Sequence, residues 1–90
     1  MKPFPDIFCI VDTETTGMRA GFSRIIDIGI IRIEHGKVTR RYQTLLNPGV
    51  SLPPFIKRIT NITDDALAGA PTFEEVALEI QELLQGAVLS

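Results

Sequence analysis

Residues 8–17 read FCIVDTETTG. An apolar run, Ile7 to Val11, stops at two acids one residue apart, Asp12 and Glu14. The run has the composition of a strand buried on both faces. Strand side chains alternate, so positions 12 and 14 point the same way wherever extended pairing reaches them. Two such carboxylates repel each other, and burial adds a further cost, so packing alone gives no reason to put them together. A divalent cation reverses the sign of the problem, because Mg²⁺ and Mn²⁺ take oxygen ligands and carboxylates provide them. In two-metal sites, ions roughly 3.5–4 Å apart stabilise both oxygens of a phosphoryl displacement. A turn-capping aspartate beside a solvated glutamate is the bland alternative for a bare D-x-E. The next residues weigh against it. Thr15, Thr16 and Gly17 offer backbone N–H groups and a conformationally free glycine where a phosphate or sugar would sit.

Outward from this stretch, the pattern predicts a small α/β domain. Ile25 to Glu34, IIDIGIIRIE, is rich in β-branched residues and reads as a second strand. His35-Gly36 fits a tight hairpin loop, and Lys37 to Leu46 returns as a third strand. Asn47-Pro48-Gly49 ends it as a turn. Pro53 and Pro54 suit the entrance of a short helix. Thr63 with Asp64 and Asp65 marks a second helix start. Thr72 and Glu75 form a capping box for a helix from Phe73 to Gln85. Its apolar stripe is Phe73, Val76, Ala77, Ile80, Leu83 and Leu84, and Gly86 stops it. The tail AVLS, residues 87–90, begins like a strand. A three-strand meander and a long helix call for a further strand, parallel to the first, to cover the helix's stripe. The remaining parallel strands of such a sheet are absent from the chain, which reads as part of a fold.

Composition narrows the function classes. The 90 residues form one small domain, and with 44% hydrophobic and 22% charged residues they read as globular. The formal net charge is −2, which leaves no broad basic surface for coating nucleic acid. A phosphodiester substrate would need its charge met by bound metal. The single cysteine, Cys9, lies in the apolar run and reads as a small buried residue. The start lacks a signal peptide's apolar core, and no apolar run approaches the ~20 residues of a membrane span. A cytoplasmic protein with no membrane partner is expected.

FCIVDTETTG resembles the first motif of the DnaQ-like 3′→5′ exonucleases of the DEDD superfamily, the family of the proofreading epsilon subunit of bacterial DNA polymerase III. The likeness continues through RIIDIGIIRIEHGKV and LLNPGVSLPPFIKRITNITDDALAGAPTFEEV, and so covers essentially the whole chain. It implies an RNase H-like fold and hydrolysis of nucleoside monophosphates from a 3′ end with two Mg²⁺ or Mn²⁺ ions. Under the resemblance, Asp12 bridges both ions and Glu14 binds one. The Thr15 amide contacts the terminal 3′ hydroxyl, with Thr16 and Gly17 beside it. Met18 stands where the family often wedges an apolar residue against the terminal bases. ITNIT, Ile59 to Thr63, matches the segment beside the terminal nucleotide, with Ile62 as its contact. Asn61 replaces the family's glycine there, and asparagine also visits the left-handed region. Asp27 reads as a hydrogen-bonded structural acid paired with Arg24, and Lys57 and Arg58 as a solvated helix face.

The superfamily's second motif, H-N-x-x-F-D, and third, H-x-x-x-x-D, do not occur in the chain. The only histidine, His35, sits in the hairpin loop and is not the family's base. Residues 1–90 are therefore expected to be the N-terminal part of one exonuclease domain, truncated and inactive by itself. The implied substrate is single-stranded or 3′-terminal DNA, with RNA left open. The implied partners are DNA polymerase III or a fused nuclease or helicase domain. The competing expectation is a non-catalytic module that keeps the fold and binds nucleic acid or a partner.

Overall fold

The computed structural model describes residues 6–17 and 24–90. Met18 lies outside them. The elements are β1 (Ile7–Thr15), β2 (Ile25–Glu34), β3 (Lys37–Leu45), α1 (Pro54–Thr60), α2 (Asp64–Ala68), α3 (Phe73–Leu84) and β4 (Val88–Leu89). They build one mixed sheet in the order β3-β2-β1-β4. The meander β1-β2-β3 is antiparallel, and β4 runs parallel to β1, with Phe8 opposite Val88 and Cys9 opposite Leu89. The tail thus begins the first of the parallel strands. At the β2–β3 hairpin, His35 and Gly36 take φ of 52° and 82°, the paired positive values of a primed turn.

The first strand is longer than its apolar run. It continues through both acids to Thr15, because β2 pairs with it along the whole length: Asp12 faces Gly29 and Glu14 faces Asp27. Both acids are exposed, so the extended backbone carries them without burying charge.

Two apolar clusters flank the sheet. Cys9, Ile28, Ile30 and Leu46 pack under Ile80 and Leu83 of α3. Ile26 packs instead with Leu52, Ile56 and Leu67 in the α1–α2 lobe. Alternation alone would put Ile26 on the face of Ile28 and Ile30. The register slips between Glu14 and Thr15, leaving Ile26 as an extra residue between the partners of those two. A bulge of this kind re-aims a side chain. Leu45, opposite Asp27, also packs into the lobe's cluster. The lobe therefore stands on the face that carries Glu14, opposite α3.

Helix α3 starts as its sequence predicts, with reciprocal Thr72 and Glu75 hydrogen bonds. It ends at Leu84, one residue earlier than the pattern, with Gly86 at φ 75°. Phe73 departs from the stripe: it is 42% exposed in the first turn, whereas Val76, Ile80, Leu83 and Leu84 face the sheet. Arg32 of β2 satisfies the helix's C-terminal end, donating from Nη1 to the carbonyls of Leu83 (2.7 Å) and Gln85 (2.9 Å).

The α1–α2 corner is held by polar contacts. Asn61 closes α1 in the left-handed region at φ 60°. The Asp64 carboxylate accepts from the Leu52 amide (2.9 Å) and from Lys57 Nζ (2.6 Å). Lys57 is thus paired and does not sit on a merely solvated face. The Leu52 amide first, and the Lys57 ammonium second, hold the Asp64 carboxyl below its ordinary value. A depressed carboxylate contributes stability that is complete above its unfolded pKa, about 3.9, and fades as pH falls through the folded value. Asp64→Asn should therefore lower the melting temperature at pH 6 by more than at pH 3. Equal losses at both pH values in thermal melts would refute this assignment.

Candidate active site

Asp12 and Glu14 lie on one face at the C-terminal end of β1, both exposed and without a hydrogen-bond partner among the described residues. Beyond them the chain turns. Thr15 Oγ1 accepts from the Gly17 amide at 3.2 Å, and Gly17 takes φ 72°. A Cβ on Gly17 would stand 2.5 Å from Ile56 Cδ1, so α1 packs directly on this turn. The bulge at Ile26 and the glycine at 17 together bring the α1–α2 lobe beside the two carboxylates.

Thr16 corrects an expectation. Its side chain is fully buried, and its hydroxyl accepts from the Arg24 amide at 3.1 Å. Its own amide donates to the Arg24 carbonyl at 2.9 Å. The backbone N–H that was expected to face a ligand is thus occupied inside the protein, and Thr16 clamps residue 16 to residue 24. Ile62 is half-buried against the lobe's cluster, and its amide donates to Thr60 Oγ1 at 3.2 Å. Asp27 accepts from Gln43 Nε2 at 2.6 Å, so the partner of this strand acid is Gln43 where Arg24 was expected. His35 donates its amide to the Asp6 carbonyl, at the opposite end of β1. Strand rise puts it about 20 Å from the acids.

Across the acid-bearing face, Gly29 separates Asp12 from Gln43, each opposite it in register. The absent side chain opens a trough of about 500 Å³ bordered by Ile10, Asp12, Ile31, Arg41 and Gln43. Ile10 remains 43% exposed at its edge. Neither Gly29 nor Gln43 stood out in the sequence. A glycine inside an isoleucine-rich strand was the available signal.

Among the described residues, no three histidine, cysteine or acidic side chains gather closely enough to hold a metal ion. The donor set that does exist, two exposed carboxylates on one face, fits Mg²⁺ or Mn²⁺. Mg²⁺ in particular is commonly bound by one or two carboxylates, with water and substrate phosphate completing its shell.

An exonuclease family model, of the RNase T type, matches residues 9–90. The chain belongs to this exonuclease family. It is 38% identical over 82 residues to the DNA polymerase III subunit epsilon of Treponema pallidum, covering 91% of this chain and 38% of that protein. It is 39% identical over 82 residues to the 3′-5′ exonuclease DinG of Bacillus subtilis, covering 89% of this chain and 9% of that one. This chain thus spans well under half the length of these relatives. Among solved structures, the nuclease domain of 3′hExo, a DEDDh family member bound to rAMP, superposes with a TM-score of 0.72. That match is 22% identical and covers 100% of this chain and 52% of the other, so the chain has the same RNase H-like α/β fold.

Proposed function

We propose that this chain is the N-terminal part of a divalent-metal-dependent 3′→5′ exonuclease domain. The observation that carries the reading is the pair Asp12 and Glu14, side by side on an exposed sheet face and walled by the lobe that packs on Gly17. In this reading Asp12 and Glu14 would be the residues that hold Mg²⁺ or Mn²⁺. When bound, the ions supply positive charge for the phosphoryl group being transferred. The chain's own residues position the substrate. The Thr15 amide and the Gly17 turn would face the terminal sugar, and Ile62 would support the lobe beside it; Met18, which the resemblance assigns to the terminal base, lies outside the described residues. The product is a nucleoside monophosphate. The further acids and the general base come from sequence beyond residue 90, a view supported by the greater length of the relatives.

DNA with a free 3′ end is the favoured substrate, because the relatives at 38–39% identity include a DNA polymerase III subunit. RNA is the competing polymer. A polymerase III assembly or a fused nuclease or helicase domain would be its setting. No helix among the described residues is long and apolar enough to cross a membrane.

A second reading rests on the same site. Among the described residues no three acids gather closely enough to hold a metal, as would suit a non-catalytic domain that binds nucleic acid. Chelation separates the two readings. In the full reading frame, EDTA should abolish release of label from the 3′ end of single-stranded DNA, and excess Mn²⁺ should restore it. Binding of the strand without any metal-dependent release would favour the non-catalytic module.

A further inference from the structure

Gly29 has no structural reason to be glycine. It sits within β2, in a run of otherwise bulky residues, at an ordinary strand torsion. A Cβ built there meets nothing closer than the Asp12 carbonyl oxygen at 3.9 Å, an ordinary contact. Glycine inside a strand costs backbone entropy and offers no side chain to pack. Its recognised use in such a position is to let a ligand or another backbone approach closely. Its place in the register supplies the ligand. Gly29 lies directly opposite Asp12 and shares its face of the sheet. Directly opposed side chains have Cβ atoms about 4.5–5.5 Å apart, so any branched group at 29 would press on the Asp12 carboxylate. Mg²⁺ and Mn²⁺ keep part of their water shell when carboxylates bind them, and that shell needs the space.

We propose that Gly29 is a site-shaping residue, left without a side chain so that a partly hydrated divalent cation can be seated on Asp12. The inference rests on the metal-site reading of Asp12 given above. Gly29 touches no reacting atom. It acts by keeping the floor of the trough open next to the ligand. The far side of that trough is already held back, because Gln43 is tied to Asp27 by a 2.6 Å hydrogen bond.

The test sets stability against metal binding. Gly29→Ala should melt at the same temperature as the parent protein or higher, since its Cβ meets only an ordinary contact, and Gly29→Val should stay close to the parent, since valine's strand preference offsets its pressure on the exposed, movable Asp12 carboxylate. Their affinity for Mn²⁺, measured by titration calorimetry or by the paramagnetic resonance of free Mn²⁺, should fall. The valine variant should lose on the order of tenfold, the scale of changes next to a metal ligand, and the alanine variant less. A purely structural glycine predicts the reverse, with lower melting temperature and unchanged affinity in the folded fraction, and that result overturns the proposal. So does Mn²⁺ affinity within about twofold of the parent in both variants. If Gly29→Val does not fold, Gly29→Ala decides by the same two readouts. Asp12→Asn is measured in parallel. If it binds Mn²⁺ as the parent does, the cation is not held at Asp12, and both the metal site and the role of Gly29 fall. If it loses binding while the Gly29 variants keep theirs, only the role of Gly29 falls.

Discussion

Asp12→Ala should reduce release of 3′-terminal nucleotides by on the order of a thousandfold, with no loss of thermal stability. The first half follows from the chemistry assigned to the carboxylate. Metal-borne charge stabilisation is worth several kcal/mol, and each 1.4 kcal/mol is about tenfold in rate. In the proposed reading Asp12 would help hold the metal, so its loss would remove most of that stabilisation. The second half follows from the fold. Asp12 is exposed and has no hydrogen-bond partner among the described residues, and its strand is held by backbone pairing to Gly29. Removing it also relieves repulsion with Glu14, two residues along on the same face. A melting temperature equal to or above the parent's, together with collapsed activity, is therefore the expected signature. Robust degradation in Asp12→Ala would place the chemistry elsewhere in the protein and end the metal-site reading.

The legible and illegible parts of this site divide along a physical line. What local chemistry decides could be read from the chain. An apolar run, a β-branched run and a hairpin loop gave the strands β1 to β3, Thr72 with Glu75 gave the start of α3, and Asn61 could be assigned its left-handed turn. The two carboxylates stood out because they have no packing purpose. What depends on register could not be read. The apolar run stops at Val11 and leaves open how far the strand goes on, and backbone pairing with β2, indifferent to side-chain charge, carries it to Thr15. The slip that sends Ile26 into the α1–α2 lobe is invisible in a row of isoleucines whose spacing puts 26, 28 and 30 on one face. Thr16 was expected beside the ligand for its backbone N–H, which instead donates to the Arg24 carbonyl. Its burial depends on residue 24 returning beside it, a contact made across the turn. Nothing local marks Arg32, whose capping of α3 needs the helix to end above β2.

Gly17→Ala should destabilise the protein by about 2–5 kcal/mol, and the loss should be shared with Ile56. Two costs add. Alanine at φ 72° occupies the left-handed region, at roughly 1–2 kcal/mol. Its Cβ would also stand 2.5 Å from Ile56 Cδ1, so that side chain or the whole of α1 must move. Overpacking of this kind costs about 1–3 kcal/mol. A domain of this size has roughly 5–13 kcal/mol in total, and each kcal/mol is worth about 4–8 °C. A fall in melting temperature of about 10 °C or more is expected. The two costs can be told apart. Gly17→Asn tolerates the torsion but keeps the clash, so it should lose less than Gly17→Ala only if torsion dominates. Ile56→Ala opens space below the turn at its own cost of about 2–5 kcal/mol. If the close approach matters, the double variant Gly17→Ala/Ile56→Ala should lose clearly less than the sum of the single losses. Strict additivity would mean that the turn and α1 do not press on one another, and the lobe would then need another anchor beside Asp12 and Glu14. Because that lobe forms the wall of the site, the same variants should weaken binding of a 3′-ended single strand even at temperatures where they remain folded.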